Sequence, residues 1–336
     1  MNTNMNAVAG GASNLADSRA CSHAAIAGER IPLLELRVFG GFDAHLDGRP
    51  IDSASTRQRR IQTLLGILTI NHGHELYCDH LADSIWPRSS DDKKRHCFYN
   101  LWYLATHAVW PGKKGADNPY FERRQRTCRL LDKYVRTDIE VVDQACCDLV
   151  RRDIDPAAAL DAYRRLQVAY RGDLLPGEME NVIVRRARVD WRERVCDALS
   201  TAALTMAEQG EDRTALWMAS AACRLSEMRE DIVRLRMELF AKMGMRASAV
   251  RVFYDYQDYL HKEMGVRPSP QSFQLMQKVV ETDDLEFTFA PVLSGRRRMP
   301  GNTNAPEAYR GDAERKTRTA PDDVLPAEYG AAHRHM

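Results

Sequence analysis

The feature that most restricts how this chain can fold is a recurrence of residues at one fixed interval in its second half. Three pairs of positions lie 34 residues apart, namely Gly210 and Gly244, Ala215 and Ala249, and Leu225 and Tyr259. A fixed interval of this length is typical of stacked helix pairs, in which small residues lie where helices cross. Two copies are clear, and the stretch DPAAALDAYRRLQVAY at 155–170 is interpreted as a divergent third copy.

An interval of 34 residues is that of the tetratricopeptide repeat, a pair of antiparallel helices. Stacked pairs of this kind form a concave surface that suits a protein partner or a small ligand. We therefore predict an all-α, tetratricopeptide-like domain over residues 138–283.

The first half of the chain combines short strands with helices. The segment LLELRVFGGFDAHLDGRPID at 33–52 alternates apolar and polar residues around Gly40-Gly41 and Asp47-Gly48, which predicts antiparallel strands joined by tight turns. Helical spacing of apolar residues follows in TRQRRIQTLLGILTINHG, in YCDHLADSIWP and in a third helix at 91–110. The segment PYFERRQRTCRLLD at 119–132 predicts a hairpin with residues 123–127 near its turn.

A sheet, three helices and a hairpin follow one another in this order in a winged helix-turn-helix. In that fold the third helix enters the major groove and the hairpin, or wing, reaches phosphates. The predicted fold class is therefore an α+β winged helix-turn-helix domain over 31–137, followed by the all-α tetratricopeptide-like domain over 138–283. The small and polar composition of residues 1–30 and 284–336 predicts disorder.

The third helix, DDKKRHCFYNLWYLATHAVW at 91–110, has two different faces. At about 100° per residue, one arc collects the residues predicted to be buried, namely Cys97, Phe98, Leu101, Leu104, Ala105 and Ala108. The opposite arc is polar and aromatic and contains His96, Tyr99, Asn100, Tyr103, Thr106 and His107, with Lys93 and Arg95 at its borders. Because this arc has no internal acid, it suits nucleic acid.

Charge is distributed unevenly between the two predicted domains. Residues 31–137 hold 17 Lys and Arg against 12 Asp and Glu, whereas residues 138–281 hold 21 against 24. Within 87–136 the count is 12 against 5, so the basic excess lies on the third helix and the hairpin. An anionic partner is expected to dock there.

Both halves contain segments that resemble one bacterial family. The segments LRVFGGFDAHLDGRPI, TRQRRIQTLLGILTINHG and LADSIWP resemble the OmpR-type winged helix of the antibiotic-regulatory activators called SARP-type proteins. The segments YRGDLLPG at 170–177, RARVDWRERV around Trp191 and LHKEMGVRPSP at 260–270 are similar to the bacterial transcriptional activator domain that follows it in that family. The resemblance covers about Leu34 to Val280.

The resemblance implies that base and phosphate contacts lie at Arg95, His96, Tyr99, Asn100 and Tyr103. We expect Asn100 to hydrogen-bond an adenine edge, and the cations Lys93, Lys94 and Arg95 to neutralise phosphates. On the hairpin, the candidates for phosphate contacts are Arg123, Arg124, Arg126 and Arg129. The alternatives are a solvated helix face in a winged fold without DNA binding, and a hairpin that is merely charged and exposed.

The loop between the second and third helices resembles the loop with which OmpR-type activators touch RNA polymerase. Trp86 continues the apolar face of the second helix, so it is predicted to anchor in the core. The polymerase contacts are therefore assigned to the polar residues Arg88, Ser89 and Ser90.

The remaining chemistry of the sequence argues against catalysis and against a metal site. The eight cysteines include no C-x-x-C pair, which predicts reduced thiols. Histidines 72, 74 and 80 and Cys78 lie close together but without zinc-finger spacing, and Cys78 and Cys97 are interpreted as core residues. Phosphate-binding glycine loops, nucleophile elbows and zinc-protease motifs are absent from the sequence. We therefore expect neither an enzyme nor a cofactor.

The first residues lack the pattern of a signal peptide, and no apolar run is long enough to cross a membrane. These observations predict a cytoplasmic protein without a membrane partner. The predicted function is a transcriptional regulator, an activator, whose winged helix binds double-stranded promoter DNA. Its helical domain is expected to form a homodimer or to hold RNA polymerase. The alternative is a tetratricopeptide-like interaction adaptor whose winged helix does not bind DNA.

Overall fold

Two small sheets frame the first half of the chain in the computed structural model, which describes residues 30–51, 56–110, 118–226 and 229–281. The strands of the described residues are β1 (Leu34–Arg37), β2 (Asp43–Leu46), β3 (Arg49–Pro50), β4 (Leu76–Tyr77), β5 (Phe121–Arg123), β6 (Thr127–Leu130) and β7 (Val135–Thr137). One sheet has the order β3-β2-β1-β7 and the other β4-β6-β5. Apart from Arg30, the segments predicted to be disordered, 1–30 and 284–336, lie outside the described residues.

Helices make up most of the rest of the described chain. Those of the first half are α1 (Arg59–Ile70), α2 (Cys78–Ile85) and α3 (Asp91–Val109). Those of the second half are α4 (Asp138–Leu149), α5 (Pro156–Ala169), α6 (Val182–Glu208), α7 (Asp212–Leu225), α8 (Glu230–Lys242), α9 (Arg246–Met264) and α10 (Pro270–Glu281).

The winged helix-turn-helix follows the predicted order, with additions that sequence did not predict. Helix α1 packs against β1 of the four-stranded sheet and also against α2 and α3. The wing is the hairpin β5–β6, with residues 124–126 at its turn. Strand β4 extends the wing, and β7 pairs in parallel with β1, where Leu34 lies opposite Val135. Both additions are strands of two or three residues, too short to show an alternating pattern.

The buried stripe of α3 differs from the predicted one. Cys97 and Leu104 are exposed and Ala108 is half-buried, whereas Trp102 and Val109 are buried together with Phe98, Leu101 and Ala105. The wing explains the shift, because the ring of Trp102 packs edge-on against that of Phe121 in β5, with the ring centroids 6.2 Å apart. The core therefore reaches around α3 toward the wing and away from the flank that carries Cys97.

The helical half confirms the repeat with an interval of 34 residues. Gly210 separates α6 from α7 and Gly244 separates α8 from α9, each with a positive φ near 80°. At both turns the next amide donates to a carbonyl five residues back, from Glu211 to Met206 and from Met245 to Phe240, each at 2.8 Å. Helices commonly end in this way, with a glycine in the left-handed conformation. Ala215 and Ala249 are fully buried where the helices of each pair cross.

Residues 171–181, which lie between α5 and α6 and are here called the connecting segment, contact the first half of the chain. The amide of Gly40 donates to the carbonyl of Asp173 at 2.9 Å, and the amide of Leu175 donates to that of Val38 at the same distance. Thr63 of α1 donates to Glu178 at 2.6 Å, and Arg59 forms an ion pair with the same carboxylate at 3.2 Å. Burial opposes ionisation of Glu178, but the Thr63 and Arg59 contacts outweigh it and keep its pKa below the usual value.

Asn181 ends the connecting segment and contacts both halves. Its side-chain oxygen accepts from the amides of Ile183 and Val184 and so caps α6. Its side-chain nitrogen donates to the carbonyl of Ser84 in α2 at 3.0 Å. Because Asn181 is buried, one side chain fixes the start of the longest described helix relative to α2.

Asp138, at the start of α4, makes a second polar contact between the two halves. Its buried carboxylate accepts from the amides of Val38 and Phe39, at 2.8 and 2.9 Å. Burial raises the pKa of Asp138 to about 6, although these amide bonds act in the opposite direction. The ring of Phe39 lies 4.9 Å from that of Tyr170 and 5.7 Å from that of Trp191. The two halves therefore share one continuous hydrophobic core.

Candidate nucleic-acid interface

The polar face of α3 comprises His96, Tyr99, Asn100, Tyr103, Thr106 and His107, and it lies at the surface. All of these residues are exposed except Thr106, which is half-buried. The ring of Tyr103, 62% exposed, stacks on that of His107 with centroids 5.3 Å apart. The side-chain nitrogen of Asn100 lies 3.3 Å from Nε2 of His96. Acids occur in α3 only in its first turn, as Asp91 and Asp92, so this face offers hydrogen-bonding groups and rings without negative charge.

The three cations at the start of α3 have different environments. Lys93 and Arg95 are exposed and form no ion pair within the described residues. Lys94 instead lies against α2, with its ammonium 2.8 Å from Asp83 and 3.4 Å from Asp91. The hydrogen bond to Asp83 is the largest cause of its raised pKa. Lys93 and Arg95 are therefore available to an anionic ligand, while Lys94 already has two carboxylate partners.

The wing contacts α3 through an arginine. The guanidinium of Arg123 lies over the ring of Tyr99, with its carbon 4.6 Å from the ring centroid. This distance is within the range of a cation–π interaction, which orients the wing relative to the polar face. The wing and α3 therefore form one continuous surface.

The other wing arginines divide into paired and unpaired groups. Arg124 lies 3.5 Å from Glu75 and 3.2 Å from Glu122, and Arg129 donates to Glu122 at 2.6 Å. The contact with Arg129 is the largest cause of the lowered pKa of Glu122. Arg126, at the turn of the wing, is exposed and has no ion pair in the described part of the chain. Of the predicted wing contacts, Arg126 is thus the cation best placed for a phosphate.

The loop assigned to RNA polymerase lies between α2 and α3. Arg88 and Ser90 are exposed and Ser89 is half-buried. The amide of Ser89 donates to the carbonyl of Trp86 at 3.2 Å, which fixes the turn. Trp86 is partly buried against the core, and Arg60 lies over its ring at 5.6 Å. The loop adjoins the first turn of α3 but is separate from its polar face.

Cys78 and His72 have structural surroundings, whereas Cys97 lies at the surface. Cys78 is buried as predicted, whereas Cys97 is exposed, and the seven described cysteines are free. Nδ1 of His72 lies 2.9 Å from a Glu140 carboxylate oxygen. Burial lowers the pKa of His72, but Glu140 and Asp132 outweigh it and the net shift is upward. Among the described residues, no group of three or more His, Cys, Asp or Glu side chains has a metal-binding arrangement.

Sequence analysis missed two features of this surface. Arg124 pairs with Glu75, which is distant in sequence, as well as with its near neighbour Glu122. Tyr77, 51% exposed, lies at the start of α2 beside the wing, where it pairs with Thr127. The run Glu75-Leu76-Tyr77 gave no sequence signal of its own, because β4 is only two residues long. Across the described residues, no helix combines the length and apolarity needed to cross a bilayer.

Comparisons with known proteins are consistent with this architecture. Residues 138–280 match the model of the bacterial transcriptional activator domain, so the helical half carries that domain. The regulatory protein AfsR of Streptomyces coelicolor is 23% identical over 250 residues, which cover 74% of this chain and 24% of AfsR. The chain thus spans about a quarter of the length of that relative.

A solved structure shares the fold. Mycobacterium tuberculosis EmbR, solved in complex with a low-affinity phosphopeptide, matches with a TM-score of 0.58 at 15% identity. The match covers 76% of this chain and 67% of the EmbR chain. Together the three comparisons confirm the fold class and the resemblance to the SARP-type regulators.

Proposed function

We propose that this chain, a transcriptional regulator of the SARP type, binds specific sequences in double-stranded DNA through α3 and the wing and activates transcription by contacting RNA polymerase. The observation that carries this proposal is the exposed polar face of α3, which has no acid beyond its first turn and joins the wing through Arg123 and Tyr99. A helix with such a face, displayed beside a basic hairpin, has the geometry of a major-groove reader.

The residues of this surface divide between base and phosphate contacts. Asn100 has the amide that pairs with the edge of adenine, and His96, Tyr99 and Tyr103 provide further polar and ring contacts in the groove. Lys93, Arg95 and Arg126, exposed and unpaired in the described residues, neutralise phosphates on either side. Arg123 and Arg124 support the wing through Tyr99 and the two glutamates, and Lys94 supports the contact between α2 and α3.

Binding to DNA can be tested without knowledge of the operator. The full chain is used to select duplexes from a random library, and the enriched duplex is titrated by fluorescence anisotropy over a range of salt concentrations. We expect one enriched motif, with an affinity that falls steeply and log-linearly as salt rises. A chain that enriches no motif and binds no duplex at low salt would instead be the interaction adaptor, and the proposal would fail.

Contact with RNA polymerase is tested separately through the loop between α2 and α3. Arg88→Ala should leave the affinity for the selected duplex unchanged and reduce transcription in vitro from a promoter that carries it. Arg152→Ala, which alters an exposed arginine of the α4–α5 loop, serves as the matched control. Unchanged transcription would remove Arg88 from the polymerase contact, and a matched loss of DNA affinity would reassign it to a phosphate.

A further inference from the structure

A groove rich in arginine lies at the junction of the two halves and has no role in the proposed DNA contact. It runs between the outer face of the β1–β7 pair and helices α4 and α5, with a volume of about 480 Å³. The residues that define this arginine groove are Arg37, Arg136, Val141, Arg164, Val168 and Arg171.

The charges of the groove are unbalanced. Five arginines line it, including Arg165, against the acids Glu35 and Asp138. The Asp138 carboxylate is buried and already accepts from two backbone amides, so it offers little to the groove. Arg37, Arg165 and Arg171 have carboxylate partners at 3.3, 2.8 and 2.7 Å. Arg136 and Arg164 are exposed and have no ion pair in the described residues.

The groove also contains apolar side chains that are exposed to solvent. Val168 of α5 is 77% exposed and Val141 of α4 is 43% exposed. Exposed aliphatic side chains beside unpaired arginines favour a partner that has both carboxylates and apolar groups. A phosphate backbone has the charge but not the apolar groups.

The position of the groove separates it from the DNA-reading surface. In β1, Leu34 and Leu36 face the core, so the alternating residues Glu35 and Arg37 face outward. Helix α1 contacts β1, and α3 packs on α1. None of the residues that line the groove belongs to α3 or to the wing. A partner in the groove therefore need not compete with DNA.

We propose that the arginine groove binds an acidic segment of a protein partner. Carboxylates of the segment pair with Arg136 and Arg164, and its apolar side chains cover Val141 and Val168. The groove has this shape and charge whether or not α3 binds DNA.

The test uses a phage-displayed library of random dodecapeptides selected on the full chain. We expect the enriched peptides to interleave Asp or Glu with Leu, Ile or Phe. Measured by fluorescence anisotropy, they should bind the double variant Arg136→Glu/Arg164→Glu more than roughly ten-fold more weakly than the wild type. Arg152→Glu, the same charge change on an exposed arginine outside the groove, should bind them as the wild type does.

Two further variants keep the test decisive. Arg164→Gln alters one exposed residue of α5, so it should fold normally and still bind the peptides several-fold more weakly. Val168→Ser should weaken binding without a change in charge. The proposal is overturned if no peptide is enriched, if the enriched peptides lack acids, or if they bind the groove variants as well as the wild type. It is also overturned if these variants lose affinity for duplex DNA instead.

Discussion

The polar face of α3 and the connecting segment hold their polar groups in opposite ways. On α3, Asn100 and Tyr103 are exposed, and within the described residues their side chains contact His96 and His107, each one turn away. In the connecting segment, the buried side chain of Asn181 satisfies two amides and a carbonyl, and Glu178 accepts from Thr63 and Arg59. The polar face of α3 therefore has hydrogen-bonding groups available to a ligand. Those of the connecting segment are mostly satisfied within the protein.

This difference separates stability from binding. Removal of a side chain from the buried contact leaves donors or acceptors without water, which costs free energy of unfolding. Removal of a side chain from the exposed face leaves water in its place, so the folded state loses little. Substitutions in the two regions should therefore change different measurements.

The largest effect is expected at Asp138. Asp138→Ala leaves the buried amides of Val38 and Phe39 without an acceptor. At roughly 1 to 3 kcal/mol for each unsatisfied buried group, the free energy of unfolding should fall by about 3 kcal/mol in urea denaturation. Asp190→Ala, at an exposed aspartate of α6, should change it by less than about 0.5 kcal/mol. Equal losses in the two variants would refute this role of Asp138.

The same carboxyl group predicts a pH dependence. Because burial raises the folded-state pKa to about 6 from an unfolded value near 3.8, the folded state holds a proton that the unfolded state releases. The contribution of Asp138 is therefore full below pH 3.8 and declines as pH rises through about 6. The difference in unfolding free energy between the wild type and Asp138→Ala should be larger at pH 5 than at pH 8.

The second prediction concerns base recognition by α3. Asn100→Ala should weaken binding to the selected duplex by about 1 to 3 kcal/mol and leave binding to random DNA nearly unchanged. Its unfolding free energy should stay within about 0.5 kcal/mol of the wild type, because the side chain is exposed. Anisotropy and urea denaturation on one preparation measure both. A loss of stability without a loss of specificity would show that Asn100 stabilises the fold and does not contact bases.

A smaller effect is expected where one side chain serves both halves. Asn181→Asp keeps the oxygen that caps α6 but loses the donor to Ser84 in α2. We expect the unfolding free energy to fall by about 1 kcal/mol. Asn181→Ala, which also loses the cap, should cost about 1 kcal/mol more. If the aspartate variant matches the wild type, the hydrogen bond to Ser84 adds nothing to the contact between the halves.

The smallest effect distinguishes two cations of the exposed region. Arg126→Ala should lower the slope of log affinity against log salt by about one unit, as expected for one lost phosphate contact. Lys94→Ala should lower it by less, because Asp83 and Asp91 already pair with this ammonium. A full unit lost at Lys94 would restore it to the phosphate contacts that the sequence predicts.

Sequence reasoning succeeded where a pattern extends over many residues. The interval from Gly210 to Gly244 predicted the helical repeat, and the positions of α1, α2 and α3 followed from apolar spacing. It failed where position depends on a distant partner. Strand β7 has three residues and forms because β1 lies beside it, and Trp102 is buried because the wing covers it.

The polar contacts between the halves show a further limit. Asn181 stands before an apolar helical run and Thr137 stands three residues before Glu140, so the sequence contains helix caps at both places. The pattern around Asn181 does not indicate its second partner, because Ser84 is 97 residues away in the chain. The candidate site was similarly predicted as a face of α3, whereas the pairing of Lys94 with Asp83 required the packing of α2.

The pairing of β1 with β7 also has a consequence for the time at which this protein acquires its shape. Leu34 pairs with Val135, and Phe39 packs against Trp191. Residues 34–39 therefore leave the ribosome long before either partner is synthesised. Contacts between such distant residues form late and slow the search for the native state. The winged helix, although it is made first, therefore becomes complete only when the start of α6 has been translated. A fragment that stops at residue 137 would lack Asp138 and the rings that cover Phe39.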